Sequence, residues 1–159
     1  MQTQIRQSVF ETNSSSSHSL TVANFKAGDV LDTLYPNSEG SIIVEAREFG
    51  WEWEDYNDPT SKLAYCAIYA RDWVGNEDIS KYLKILTTVV RDHVGDIDVE
   101  FPLDVSKSGY FEKGYIDHQS VENHDLDYLF EDPEQLRQFI FNPKSKLKTG
   151  NDNESQYDD

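Results

Sequence analysis

The sequence predicts a single α+β domain in which a mostly antiparallel sheet packs with two central amphipathic helices and one short C-terminal helix. The first segments are short and rich in β-forming residues, two helical stripes follow in the middle, and short mixed elements close the chain. A chain of 159 residues has the size of one domain. We therefore expect one domain over residues 1–153 and a disordered acidic tail over residues 154–159.

Two short strands are predicted near the N-terminus, with a serine-rich loop between them. Gln4–Phe10 and Ser19–Val22 are rich in β-forming residues, and the polar residues Glu11–His18 separate them. A connecting turn needs only about two to five residues, usually with Gly or Pro, so the serine run calls for another explanation. A third strand is predicted over Ser41–Phe49, whose apolar residues bunch at its start.

The two central helices are predicted from apolar stripes with clear ends. Asp58 and Pro59 resemble an N-cap followed by proline in the first turn, and the first stripe continues to Gly75. The second stripe has cleaner spacing and stops at Gly95. The stripes consist of Leu63, Cys66, Ala67, Ala70, Trp73 and Val74, and of Ile79, Tyr82, Leu83, Leu86, Val89, Val90 and Val94.

Short elements complete the predicted fold. Val99–Phe101 and Tyr110–Ile116 are strand candidates, and Lys146–Thr149 is the last one. Asp132-Pro133 repeats the Asp-Pro start signal and predicts a short helix that ends before Asn142.

The composition limits the class of partner and the cellular setting. With 30 acidic and 14 basic side chains, the net charge of −16 would repel a phosphate backbone, so we expect no broad nucleic-acid binding. A basic protein, a bound cation or mimicry of a nucleic acid fits this charge better. One cysteine, Cys66, excludes an internal disulfide and the thiolate zinc patterns. No apolar run has the length of a membrane span, so we expect a cytoplasmic protein without membrane contact.

Three polar segments, Glu11–His18, Gly114–Ser120 and Thr149–Asn153, contain the candidate site residues. Hydroxyls and amides bind oxyanions, an imidazole serves as a base or metal ligand, and Asn and Asp oxygens suit a hard cation. The predicted catalytic and metal-ligating residues are His18, Asp117, His118 and Asp152, and the predicted substrate-binding residues are Asn13, Ser14, Ser15, Ser16, Ser17 and Asn151.

Each segment also has a structural interpretation. The serine run reads equally as a solvated loop, His118 as a residue that satisfies loop backbone groups, and Gly150 as a turn glycine with positive φ. Asp117 and His118 can act together only in a turn or bulge, because neighbouring strand residues point to opposite faces. His124 is a further candidate ligand, and the acidic aromatic run Glu48–Tyr56 suits either a protein interface or core packing.

Four segments of the chain, R-Q-S-V-F-E-T-N-S-S-S-S-H-S-L, E-F-G-W, G-Y-I-D-H-Q-S and T-G-N-D-N, together resemble a group of small uncharacterised proteins from bacteriophages and Gram-positive bacteria. The likeness spans most of the chain and is sharp in these four segments. It implies that the segments occur together, as parts of one site would. It also implies a phage origin, with the host cytoplasm as the location, but it carries no catalytic role over.

Two functions stay open from the sequence. If the polar segments meet in space, two imidazoles and two carboxylates would hold one divalent metal ion while the serines orient a phosphate or carboxyl group, as in a metal-assisted hydrolase or phosphoryl-group-handling enzyme. A metal-free serine hydrolase ranks lower, because the chain has no G-x-S-x-G elbow. The alternative is an acidic protein that docks on a basic host protein and inhibits it, although its carboxylates lack the regular spacing of a strict nucleic-acid mimic.

Overall fold

The computed structural model describes residues 2–6, 16–23, 26–50, 53–73, 79–101, 115–116 and 126–151, and at 2–6, 16–19, 72–73, 115, 127 and 151 it describes the backbone alone. The elements in chain order are β1 (Gln2–Arg6), β2 (Ser16–Ala23), β3 (Ser41–Ile43), β4 (Glu48–Phe49), β5 (Glu54–Tyr56), α1 (Pro59–Trp73), α2 (Ile79–Val94), β6 (Asp98–Glu100), β7 (Tyr115–Ile116), α3 (Asp127–Glu131), α4 (Pro133–Phe141) and β8 (Lys146–Asn151). Helices combined with an antiparallel main sheet confirm the predicted α+β class.

The main sheet has four strands in the order β1-β2-β8-β5, and every neighbouring pair is antiparallel. Leu20 in β2 pairs with Ile5 on one side and with Leu147 on the other. Leu20, Val22 and Leu147 are buried, so alternate positions of β2 and β8 face the core.

The central pair of this sheet, β2 with β8, is longer than predicted. Ser16–His18 belong to β2 and not to the predicted loop, because they pair with the last residues of β8. Strand pairing gives Ser16–His18 backbone partners in β8, whereas a solvated loop would leave these groups to water.

Gly150 lies within β8, so the predicted turn with positive φ at this position is wrong. The indole of Trp53 occupies the space beside it: a Cβ atom at position 150 would lie 2.1 Å from Cε3 of that ring. Glycine is required here by the close approach of an aromatic ring and not by a turn.

The predicted strand Ser41–Phe49 is two separate strands in the structure. β3 pairs in parallel with β6, and β4 pairs in parallel with β7. Parallel partners need a long crossover, and α1 and α2 lie in the chain between these partners.

The helices other than α3 begin or end at the predicted signals. Asp58 precedes Pro59 and accepts a hydrogen bond from the amide of Ser61 at 2.8 Å, and Gly95 follows α2 with φ of 132°. Asp132 caps α4 by accepting from the amide of Gln135. α3 was not predicted, because its start carries no side-chain cap. Among the described residues, no helix has the length and apolar character needed to cross a bilayer.

α1 is the central element of the core. Every residue from Ser61 to Arg71 is buried, so this helix is covered on all sides and not along one stripe alone. Lys62 is fully buried, and its Nζ donates to the carbonyl oxygens of Asn142 and Ser145 at 3.0 Å each. The lysine therefore ties α1 to the connection between α4 and β8.

Candidate functional site

The core face of the main sheet changes from apolar to polar toward one end. Successive rows across β2, β8 and β5 are Leu20, Leu147 and Tyr56, then His18, Thr149 and Glu54, then Ser16 and Asn151. Positions opposite each other across strands, and positions two apart along a strand, belong to the same face of a sheet. The structure thus brings three predicted site positions, 16, 18 and 151, together on the face that covers the core.

The described side chains of this region form a cluster of a carboxylate, a phenol and a hydroxyl. Burial and a hydrogen bond to the Glu54 carboxylate raise the pKa of Tyr56 above its ordinary value, while Arg47 and the Thr149 hydroxyl lower it by less. The phenol therefore stays protonated at neutral pH and donates to the carboxylate. Thr149 is fully buried and Glu54 is exposed, so the cluster extends from the core to the surface.

Aromatic rings hold β5 beside β8. The ring of Tyr56 meets Phe49 edge to face at 5.2 Å between centroids, and Phe49 makes the same kind of contact with Tyr65 of α1 at 5.2 Å. Trp53 is half-buried against Gly150, on the sheet face opposite to Thr149, and it is not among the residues of the hydrophobic core. Edge-to-face pairs add to the free energy gained by burial, so they position the cluster firmly.

The strand β7, which immediately precedes Asp117 in the chain, lies beside Phe49. Ile116, the last residue of β7, is buried and pairs with Phe49 in the parallel ladder. Asp117 follows Ile116 directly in the chain. The ring of Phe49 contacts the ring of Tyr56. Phe49 therefore links Ile116, its strand partner, to the cluster of Glu54, Tyr56 and Thr149.

The predicted site residues divide into those that the structure places and those outside the described residues. Strand alternation separates Ser17 from Ser16 and His18, because Ser17 pairs with Gly150 on the opposite face of the sheet, so the serines do not form one lining. Outside the described residues lie Asn13, Ser14, Ser15, Asp117, His118, His124 and Asp152. Within the part that is described, no group of three or more His, Cys, Asp or Glu side chains is arranged to hold a metal ion.

Sequence reasoning did not select Glu54, Tyr56 or Thr149 as site residues. The only sequence signal is the alternation of Glu54 and Tyr56 just before the Asp-Pro helix start, which is typical of a very short strand. Glu54 pairs with Thr149, and Tyr56 pairs with Leu147, across more than half of the chain, so no local pattern indicates these pairs.

His93 has a structural position elsewhere in the fold. The Arg137 guanidinium only donates, so Nδ1 of His93 accepts from Arg137 Nε at 3.0 Å. Nε2 therefore carries the proton and donates to the carbonyl oxygen of Asp32 at 2.7 Å. The imidazole also stacks on Phe141, with 4.0 Å between ring centroids. These contacts use both nitrogens and one ring face of His93 in linking α2 to its neighbours.

Cys66 is fully buried in α1, and burial raises the pKa of its thiol above the ordinary value, so it is not an activated nucleophile. The residues at the polar end of the main sheet are therefore the best candidates for chemistry in the described part of the chain.

Comparison with protein-family models, with curated proteins and with solved structures finds no match for this chain.

Proposed function

We propose that the protein is an enzyme, a metal-assisted hydrolase or a phosphoryl-group-handling enzyme, that acts on a small phosphate- or carboxylate-bearing ligand at the polar end of the main sheet. The row of His18, Thr149 and Glu54 carries this proposal. Opposite positions on neighbouring antiparallel strands lie about 5 Å apart. The row therefore combines a base, a hydroxyl and a carboxylate on one face, and it reaches the surface at Glu54.

A divalent cation fits this proposal for an electrostatic reason. The net charge of −16 repels an anionic ligand, and a bound cation offsets that repulsion locally. His18 is proposed as one ligand of the ion, with Asp117, His118 and Asp152 as the others. Such an ion would polarise a phosphoryl or carbonyl oxygen and lower the pKa of a bound water.

The remaining groups have proposed roles in binding the anion. Ser16 and Asn151, which pair across β2 and β8, would orient its oxygens, and the buried Thr149 hydroxyl would help to position the Tyr56 phenol. Glu54 is the exposed carboxylate of the row and is proposed to exchange a proton with the ligand. Tyr56 holds Glu54 through its hydroxyl and acts as a positioning residue.

Calorimetric titration with Mn²⁺ and with Zn²⁺ tests the metal site. We expect the native protein to bind one ion, and we expect His18→Ala and His118→Ala each to weaken binding by more than about tenfold. His93→Gln is the matched control, because His93 is a histidine with partners elsewhere in the fold, and it should bind the ion like the native protein.

Hydrolysis of p-nitrophenyl phosphate and of p-nitrophenyl acetate, with and without a chelator, tests the activity. Thr149→Val keeps the shape of a fully buried side chain and removes its hydroxyl, so we expect turnover to fall while the ion still binds. Ion binding that is unchanged in both His18→Ala and His118→Ala would refute the metal site. Turnover that is unchanged in His18→Ala would refute the whole proposal.

A second candidate function is the acidic protein that binds and inhibits a basic host protein. Exposed apolar side chains support it beyond the net charge: Tyr35 is 84% exposed and Val30 is 79% exposed. Large apolar groups at the surface of an acidic protein are typical of a contact surface for another macromolecule. Salt-sensitive binding to a basic protein is the expected behaviour.

A further inference from the structure

A cleft of about 480 Å³ lies between the segment Thr33–Tyr35 and β3, with Thr60 and Leu63 of α1 among its lining residues. A tight turn joins its two walls. In this turn, the Asn37 side-chain oxygen accepts from the amide of Ser41 at 3.0 Å, and Gly40 adopts φ of 80°. The walls meet at the turn, and we call the cleft between them the slot.

β3 faces this slot with an edge that is open at Ile43, as judged from the described residues. The amide of Val44 donates to the carbonyl oxygen of Glu100 at 2.8 Å, so even-numbered residues of this segment bond to β6. In a parallel ladder the intervening residue points its amide and carbonyl the other way. The Ser41 carbonyl, on that other side, accepts from the amide of Asn37, whereas the amide and carbonyl of Ile43 have no backbone partner among the described residues.

The walls of the slot carry exposed apolar side chains. Tyr35 is 84% exposed on one wall, and Ile43 is 47% exposed on the other. Leu34 and Ile42 beside them are buried, so both walls are anchored in the core. The exposed pair thus projects from a fixed framework, which lowers the entropy cost of binding.

The charge around the slot is negative. Glu45 lines it with 70% of its side chain exposed, and Glu39 in the turn and Glu100 on β6 beside Ile43 are exposed as well. Among the described residues, no lysine or arginine lines the slot. Arg47, the nearest cation along the chain, donates to the Ser61 hydroxyl and lies 3.8 Å from Glu45. The slot therefore favours a cationic occupant.

We propose that this slot binds a short extended segment of a basic partner protein by strand addition to β3. This inference rests on the second candidate function, the acidic binder, and locates its contact surface. The backbone of the segment would pair with the amide and carbonyl of Ile43, and its apolar side chains would contact the exposed side chains of Tyr35 and Ile43. Its lysine or arginine side chains would meet Glu45 and Glu39.

Fluorescence anisotropy with a labelled peptide of sequence KLKVKLK tests the inference at low salt. Two further peptides separate the interactions: ELEVELE reverses the charge, and KLKVKLK with alternate backbone amides N-methylated keeps the charge but cannot add as a strand. We expect binding of the first peptide alone. Binding should weaken about tenfold in Tyr35→Ala, where an aromatic contact is lost, and about threefold in Glu45→Lys.

Glu131→Lys is the matched control, because it changes the charge equally at an exposed position of α3 outside the slot, and it should leave the affinity within about twofold. Ile43→Pro removes the amide offered to the peptide without removing a bond to β6 and should abolish binding. The slot would be overturned as the site if the N-methylated peptide bound as tightly as KLKVKLK, or if Tyr35→Ala and Glu45→Lys both kept native affinity. The second candidate function, an acidic protein that binds a basic partner, would not be affected by either result. No binding of KLKVKLK at low salt would overturn both.

Discussion

The buried amine of Lys62 makes the stability of this protein depend on pH in a way that one substitution tests. Its side chain is fully buried, and its partners are two carbonyl oxygens, those of Asn142 and Ser145. Burial lowers the pKa of Lys62 from 10.5 to about 8, although Asp32 and Asp58 act in the opposite direction.

The sign and size of the effect follow from proton linkage. Between pH 8 and pH 10.5 the unfolded chain holds this proton and the folded chain has lost it, so the free energy of unfolding rises with pH across this window. One pKa unit corresponds to about 1.4 kcal/mol, so the whole difference corresponds to roughly 3 kcal/mol. The stability from the neutral amine is complete above pH 10.5 and is lost as the pH falls to about 8.

Urea unfolding of the native protein and of Lys62→Met, in steps from pH 8 to pH 10.5, measures this contribution. We expect the difference between the two free energies of unfolding to grow by roughly 3 kcal/mol in favour of the native protein across the window. The buried Cys66 thiol, whose pKa is raised, opposes the rise but is present in both proteins, so the difference removes it.

Lys81→Met is the control, because it removes an exposed lysine of α2 and should leave the pH dependence of the native protein unchanged. A difference between the native protein and Lys62→Met that stays constant from pH 8 to pH 10.5 would refute the reasoning. The amine would then be solvated in the folded protein, and α1 would not be enclosed as described.

Three further predictions concern packing, capping and reactivity. Gly150→Ala should lower the free energy of unfolding in urea by about 1–3 kcal/mol, because its Cβ would lie 2.1 Å from the Trp53 ring; native stability would contradict this packing. Asp132→Ala should cost about 1 kcal/mol through loss of the bond to the Gln135 amide, and an unchanged thermal midpoint would count against the cap. The Cys66 thiol should resist a disulfide reagent in the folded protein and react in denaturant, so rapid labelling of the folded state would show that the core opens.

The helices could be predicted because their signals are local. Asp58-Pro59 and Asp132-Pro133 start α1 and α4, and Gly95 follows the end of α2, as the sequence predicts. A cap bonds to an amide two or three residues away, so its partner is visible in the same short stretch of sequence.

The candidate site could be predicted only in part. Ser16, Ser17 and the T-G-N segment were selected for their residue types, and the structure places them side by side in β2 and β8. The division of Ser16 and Ser17 between two faces was missed, because it depends on whether the segment is a loop or a strand. Glu54 was missed because its relation to position 18 exists only through β8.

The sequence by itself determined the α+β class, the ends of the main helices and the residue types available for chemistry. The tertiary structure alone decided that His18, Thr149 and Glu54 share a row, that Gly150 accommodates Trp53, and that Ile43 of β3 lies beside a cleft. The physical reason is the range of the interactions. Caps and apolar stripes act within a few turns of a helix, whereas strand register and close packing join residues that are distant in the chain.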